Sequence, residues 1–203
     1  MGGTAVKTTR LFFGALFVML LASCAQPPVP QDHFYRLHVQ MSGKALANPP
    51  LAGTLEVARL LADGLTAGRP IVYSEAARPL EANEYHYHFW TDSPTVMLRD
   101  ELVSYLRQAG VAKTVITPEM RLEPDFILTG KIKRLEQVRG TPSKVVIALE
   151  IALRDRREDR LLLVKTYRTE GETAGADIAA AVSGINLGLG KIFAAFVADI
   201  SRI

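Results

Sequence analysis

Residues 144–154, KVVIALEIALR, place an apolar side chain at every second position: Val145, Ile147, Leu149, Ile151 and Leu153. Side chains along a strand alternate between its two faces, so this segment is a strand with one face against a core. The chain ends on a different period. Ile178, Val182, Ile185, Leu189, Ile192, Phe196 and Ile200 recur at the spacing of one helix face. Each pattern leaves an apolar surface that only another element can cover. Together they require a sheet with a helix packed upon it.

The remaining segments fill in that plan. Strand patterns run over 33–41, 54–61, 71–74, 84–90, 113–117, 125–138, 144–154 and 160–170. The strands at 71–74 and 84–90 form a hairpin across a turn at 78–83. The last three strands form an antiparallel meander with a charged turn at 155–159. Gly130 marks a bulge or bend in the strand that carries it. Ser93-Pro94 opens a helix, with serine as N-cap and proline at the first helical position. Met97, Leu98, Leu102, Tyr105 and Leu106 supply its apolar stripe, and Gly110 ends it. The fold class is α/β of the α+β kind: a mostly antiparallel sheet, a mid-chain helix, and a long C-terminal amphipathic helix packed on the sheet. The longest uncharged stretch of that last helix, 178–190, has 13 residues, short of the roughly 20 a bilayer span needs. Gly184 and Gly188 give it a GxxxG spacing, which allows close approach to the sheet.

The first 24 residues have a separate logic. Lys7 and Arg10 precede the apolar run 11–22, and Leu21-Ala22-Ser23-Cys24 follows. A charged head, a short apolar core and small residues make a secretory signal. Cys24 is the only cysteine in the chain, so no intrachain disulfide exists and the fold must stand on its core. Leu-Ala-Ser-Cys resembles the lipobox of bacterial lipoproteins. That resemblance implies a signal peptide over 1–23, a lipid on Cys24, and stable anchoring through two or more acyl chains. The other reading is an ordinary signal peptide with an incidental cysteine. Ala25, rather than aspartate, resembles an outer-membrane address. Residues 24–32, with three prolines, read as the lipidated cysteine and an extended linker. A single periplasmic domain then occupies 33–203. Removing 23 of the 203 residues leaves 180, enough for one self-sufficient core. Without Lys7 and Arg10 the net charge falls from +3 to +1, which gives no electrostatic case for nucleic acid.

The stretch Tyr85-His86-Tyr87-His88-Phe89-Trp90 is the densest in chemistry-bearing side chains. Strict alternation places His86, His88 and Trp90 on one face and Tyr85, Tyr87 and Phe89 on the other. If the tyrosine face fills the core, then His86, His88 and Trp90, joined by Arg69, form a partner-binding patch. Aromatics and arginine are the residue types that anchor interfaces. A one-residue slip would exchange the faces. Two histidines at i and i+2 suit zinc, but further ligands are lacking, so no metal and no cofactor is expected. No G-x-S-x-G, Walker or G-x-G-x-x-G pattern occurs in a fitting context, and no enzymatic activity is expected.

Three stretches together resemble a known family: Phe34-Tyr35-Arg36-Leu37 soon after the lipobox; Gly64-Leu65 with Arg69-Pro70-Ile71-Val72-Tyr73; and residues 85–90 with Pro94, Met97, Leu98, Leu102 and Leu106. The chain is similar to the ABC-type transport auxiliary lipoproteins, which include the PqiC-like lipoproteins encoded with MCE-domain lipid transport systems. The resemblance runs from about Phe34 to the final helix and is most specific over 64–106. It implies a non-enzymatic subunit of a machine that moves lipids across the cell envelope. Its implied companions are an ATPase, a permease and an MCE-domain protein, with a homo-oligomer also open. The alternative is an envelope lipoprotein that itself binds a lipid or glycolipid in an apolar groove. A hydrolase with an unrecognised site is a third reading.

Overall fold

A computed structural model describes residues 29–203. The signal peptide, Cys24 and the first part of the linker lie outside the described residues. The folded unit spans Asp32–Ile203. Its strands are β1 (His33–Tyr35), β2 (Leu51–Val57), β3 (Leu61–Ala62), β4 (Pro70–Glu75), β5 (Arg78–Trp90), β6 (Ala112–Ile116), β7 (Phe126–Arg139), β8 (Lys144–Asp155) and β9 (Arg160–Glu172). Two helices, α1 (Pro94–Ala109) and α2 (Ile178–Ile200), complete it.

The spine of the sheet is β7. Along one edge it pairs with β8 in antiparallel register from Phe126↔Asp155 to Val138↔Lys144. β9 then pairs with β8, completing the meander. The opposite edge of β7 is shared by three short strands, all parallel to it. β2 takes residues 126–128, β3 takes 131–132 and β4 takes 136–139. The chain between Leu55 and Glu75 therefore travels the length of β7 in three steps, with a 3-10 turn at Gly64–Ala67 between the second and third. β6 extends the sheet beyond β2 in parallel, and the β4–β5 hairpin extends it at the other end, with β1 parallel to β5. The result is a mixed, curled sheet in which the long ladders are antiparallel.

The segment expected as a strand over 33–41 pairs only to Tyr35. Beyond it the alternation persists, with Leu37 and Val39 buried, but the backbone turns from the sheet to the helices. The N–H of His38 donates to Asn186 Oδ1 at 2.9 Å and that of Val39 to Glu101 Oε2 at 2.7 Å. Amides that leave a sheet need another acceptor, and here helix side chains supply it. The turn expected at 78–83 is also shorter than the pattern suggested. Only Ala76 and Ala77 separate β4 from β5.

α1 ends at Gly110, whose φ of 68° is the left-handed conformation glycine adopts without cost. Ser93 has the extended N-cap backbone, but its hydroxyl makes no cap bond; it pairs with Thr95 Oγ1 at 3.0 Å. α2 is capped by Asp177, whose Oδ1 accepts from the Ala180 N–H at 2.8 Å. By length and composition α2 could cross a bilayer. Within the domain its apolar stripe is spent on the sheet: Ile185, Leu189, Phe193, Phe196 and Ile200 are fully buried. A side chain at Gly188 would lie 2.5 Å from Ile147 Cδ1, and one at Gly184 would lie 3.3 Å from Val145 Cγ2. The two glycines thus let the helix backbone settle onto β8. Gly130 has a similar role instead of the bulge expected there. Its Cβ would meet the Glu150 carbonyl at 2.8 Å, while the register shift of β7 falls between Ile132 and Arg134.

Candidate functional site

The aromatic and histidine side chains gather where β1 closes the edge of the β4–β5 hairpin. β1 pairs with β5 as His33↔His88, Phe34↔Phe89 and Tyr35↔Trp90. On its other edge β5 is irregular. Pro70 pairs with Phe89 but Val72 pairs with Glu84, so β5 carries extra residues opposite Ile71. Such a bulge breaks the two-residue repeat. Tyr85 and His88, three positions apart, consequently meet edge to face with ring centroids 5.6 Å apart.

This bulge corrects the sequence expectation. Trp90 does not join His86 on a surface patch: it is 1% exposed and belongs to the core. The alternation resumes only after the bulge, and it carries Trp90 to the buried side. The four residues expected together are dispersed. Trp90 is internal, His88 is half-buried in a tyrosine cluster, His86 is exposed beside Tyr87, and Arg69 is exposed on the side of Phe34.

The half-buried face is a polar aromatic cluster. Tyr35 Oη lies 3.0 Å from His88 Nδ1, and the His33 ring stacks on His88 at 5.1 Å with an interplanar angle of 14°. Tyr73 and Tyr85 approach to 4.4 Å. Tyr85 Oη donates to Gln137 Oε1 at 2.8 Å, and Gln137 Nε2 donates to Ser143 Oγ and to the Ala176 carbonyl, both at 3.0 Å. Gln137 is fully buried, so these bonds satisfy a group that would otherwise destabilise the core. They also fix the approach to α2. Burial, then the charge of His33, lowers the His88 pKa, favouring the neutral ring. Burial and then Asp177 raise the Tyr35 pKa, and burial is also the largest cause of the raised Tyr85 value.

His88 is thus brought to His33 rather than to His86, the partner a zinc reading required. Among the described residues no group of three His, Cys, Asp or Glu side chains is placed to hold a metal ion. The cluster pairs tyrosines with an imidazole, an arrangement that orders the edge of the sheet.

The opposite face is open. Phe34 is 55% exposed and packs on Phe89 with centroids 5.8 Å apart. The Arg69 guanidinium sits 5.5 Å from the Phe34 ring centroid, and its Nε donates to the Trp90 carbonyl at 3.1 Å. Arg69 is therefore held over an aromatic ring, a low-entropy presentation of a cation. Tyr87 is 43% exposed nearby in sequence. Sequence reading singled out Arg69 but missed Phe34 and His33, because the parallel pairing of β1 to β5 leaves no local trace. A concavity of about 350 Å³ lies between the extended segment after β1 and α2, lined by His38, Gln40, Ser42, Ser183, Asn186 and Leu187.

Solved structures with this architecture are known. Protein XCC0632 from Xanthomonas campestris is similar to it with a TM-score of 0.71 and 21% identity, covering 81% of this chain and 92% of that one. A crystal structure of an uncharacterised protein is similar with a TM-score of 0.67 and 17% identity, covering 85% of this chain and all of that one. The PelC dodecamer from Paraburkholderia phytofirmans is more distant, with a TM-score of 0.51 and 11% identity over 78% of this chain and 94% of that one. At these identities the likeness is one of fold. No curated protein matches the sequence. The family model described as the ABC-type transport auxiliary lipoprotein component matches residues 35–199. That match runs from Tyr35 at the end of β1 through every later strand and nearly all of α2, and on it the chain belongs to the ABC-type transport auxiliary lipoproteins.

Proposed function

We propose that this chain is the membrane-anchored, non-enzymatic accessory subunit of an ABC transport system with an MCE-domain component, moving lipids across the cell envelope. The observation that carries this reading is the extent of the family match, residues 35–199, directly behind a lipobox-like Leu21-Ala22-Ser23-Cys24. In this reading residues 1–23 are removed, Cys24 carries the lipid, 24–32 is the tether and 33–203 is the working domain, on the periplasmic side of the outer membrane. The surface offered to a partner is the open face of Arg69 and Phe34. An arginine held over an exposed phenylalanine supports a docking role, since aromatics and arginine dominate the energetics of interfaces. Assembly of several copies fits the same picture: PelC, which shares the fold, forms a dodecamer.

The test is isolation of the tagged lipoprotein from native membranes after mild crosslinking, with proteins and lipids of the isolate both identified. The proposal expects an ABC permease, its ATPase and an MCE-domain protein. Recovery of the chain alone with a stoichiometric bound lipid would replace it with a lipid-carrier reading.

A further inference from the structure

Leu80 is 99% exposed, more than any other large apolar side chain in the folded domain. One exposed leucine is ordinary on a protein surface. Its setting is not. Glu75 pairs with Arg78 and Tyr73 with Asn83, so residues 79–82 swing out opposite Ser74 alone. Every residue from Ala76 to Ala82 is exposed. The tip is alanine, proline and leucine apart from Arg78 and Glu81, and those two neutralise each other in a 2.9 Å ion pair. The hairpin therefore ends in a knob of no net charge with an apolar apex at Leu80.

The register of β1 says where that knob points. β1 runs parallel to β5, with His33 beside His88, and β5 runs from the tip toward Trp90. The chain therefore enters β1 at the end of that strand that faces the hairpin tip. From Pro70, level with Phe89, to Glu75 at the tip, β4 covers five residues, about 17 Å at the strand rise. From Cys24 to His33 there are nine residues, which reach at most about 28 Å as an extended proline-rich tether. A lipid on Cys24 thus keeps His33 within about 28 Å of the bilayer, and β1 begins at the end of the sheet where the knob projects.

We propose that the β4–β5 hairpin tip, with Leu80 at its apex, docks into the headgroup region of the bilayer that holds the Cys24 lipid. The inference rests on the lipid-anchor reading. The tether supplies a high local concentration of membrane, so one leucine and its small apolar neighbours suffice to orient the domain. Arg78 can turn its guanidinium to the phosphates while its stem follows the apolar surface. Docked this way, the domain stands on its hairpin tip.

The experiment uses the full mature lipoprotein, purified from membranes and reconstituted in phosphatidylcholine vesicles with and without dibrominated chains. The one native tryptophan, Trp90, is buried and gives a constant background. Leu80→Trp adds a reporter at the tip; Leu161→Trp adds one on β9, at a site 57% exposed. Circular dichroism melts confirm that both variants fold. The expected result is a blue shift and loss of the added emission in brominated vesicles for Leu80→Trp and neither for Leu161→Trp. Protein that co-floats with vesicles while the Leu80→Trp emission is unquenched overturns the docking and leaves the anchor standing. A blue shift without bromine quenching overturns it in favour of contact between copies of this chain at the tip. Wild-type protein that fails to float with vesicles overturns the anchor reading, and this proposal with it.

Discussion

Trp90→Ala separates the two faces of β5 by a single number. The indole is 1% exposed. Its backbone is tied on both sides, with the N–H donating to the Arg69 carbonyl at 2.7 Å and the carbonyl accepting from Arg69 Nε at 3.1 Å. Those bonds survive truncation to alanine, so the loss is confined to the side chain. Truncating a large buried aromatic costs about 3–5 kcal/mol in transfer and cavity terms. For a domain of this size each kcal/mol lowers the melting temperature by roughly 2–4 °C, so the fall should be about 6–20 °C. Phe34→Ala is the matched control. Its ring lies on the open face and is already half in water, so truncation should move the melting temperature far less while weakening capture of the transporter subunits. Melting curves by circular dichroism, run beside a pull-down, read both outcomes. If Trp90→Ala melts with wild-type protein, the indole faces solvent, and the register of β5 against β1 is refuted.

Ile185→Asp places a carboxylate at a fully buried point of α2 and should destabilise the domain by several kcal/mol, read as an early urea midpoint; a wild-type midpoint would mean that α2 packs elsewhere. Gly188→Val needs a Cβ where Ile147 Cδ1 is 2.5 Å away and Thr169 Cγ2 is 3.0 Å away, so overpacking by about 1–3 kcal/mol is expected, with Ser183→Val, on the exposed side of the same helix, as the tolerant comparison. Asp199 accepts from Lys165 Nζ and Tyr167 Oη, both at 2.7 Å, and these bonds hold its pKa below the usual aspartate value. A depressed carboxylate stabilises the fold above its unfolded pKa of about 3.9 and loses that contribution as pH falls through the lower folded value. The melting-temperature gap between wild type and Asp199→Asn should therefore be steady at neutral pH and close in the acid range, whereas a gap independent of pH would contradict the assignment. Cys24→Ser should abolish incorporation of a labelled fatty acid and leave an uncleaved precursor or a soluble periplasmic form; label retained by the serine variant would contradict the anchor.

What was legible in the sequence follows from how locally each feature is encoded. The meander of β7, β8 and β9 and the apolar stripe of α2 are written in short-range periodicity, and both are present at the expected residues. The close approach of α2 to the sheet was readable from Gly184 and Gly188. The parallel pairing of β2, β3 and β4 along a single edge of β7 was not, because a parallel partner is chosen by the global path of the chain and leaves no turn signature. Residues 36–40 misled in another way: Leu37 and Val39 alternate as in a strand, but their amides are satisfied by Glu101 and Asn186. At the candidate site the residue types were right and their grouping was not. The bulge between Glu84 and Phe89 shifts the alternation within the segment whose faces were being assigned. It therefore separates Trp90 from His86 and brings His88 to Tyr35. The side chains that complete the two faces, His33 and Phe34, come from an edge strand more than fifty residues away in the chain.

The central claim is that this lipoprotein serves a lipid transporter, and the most direct test is the transfer of a pulse-labelled phospholipid between inner and outer membranes in living cells. The account predicts that transfer slows when the chain is removed and the ABC and MCE components remain, and that wild-type protein restores it. Transfer at the full rate without the chain would contradict the account.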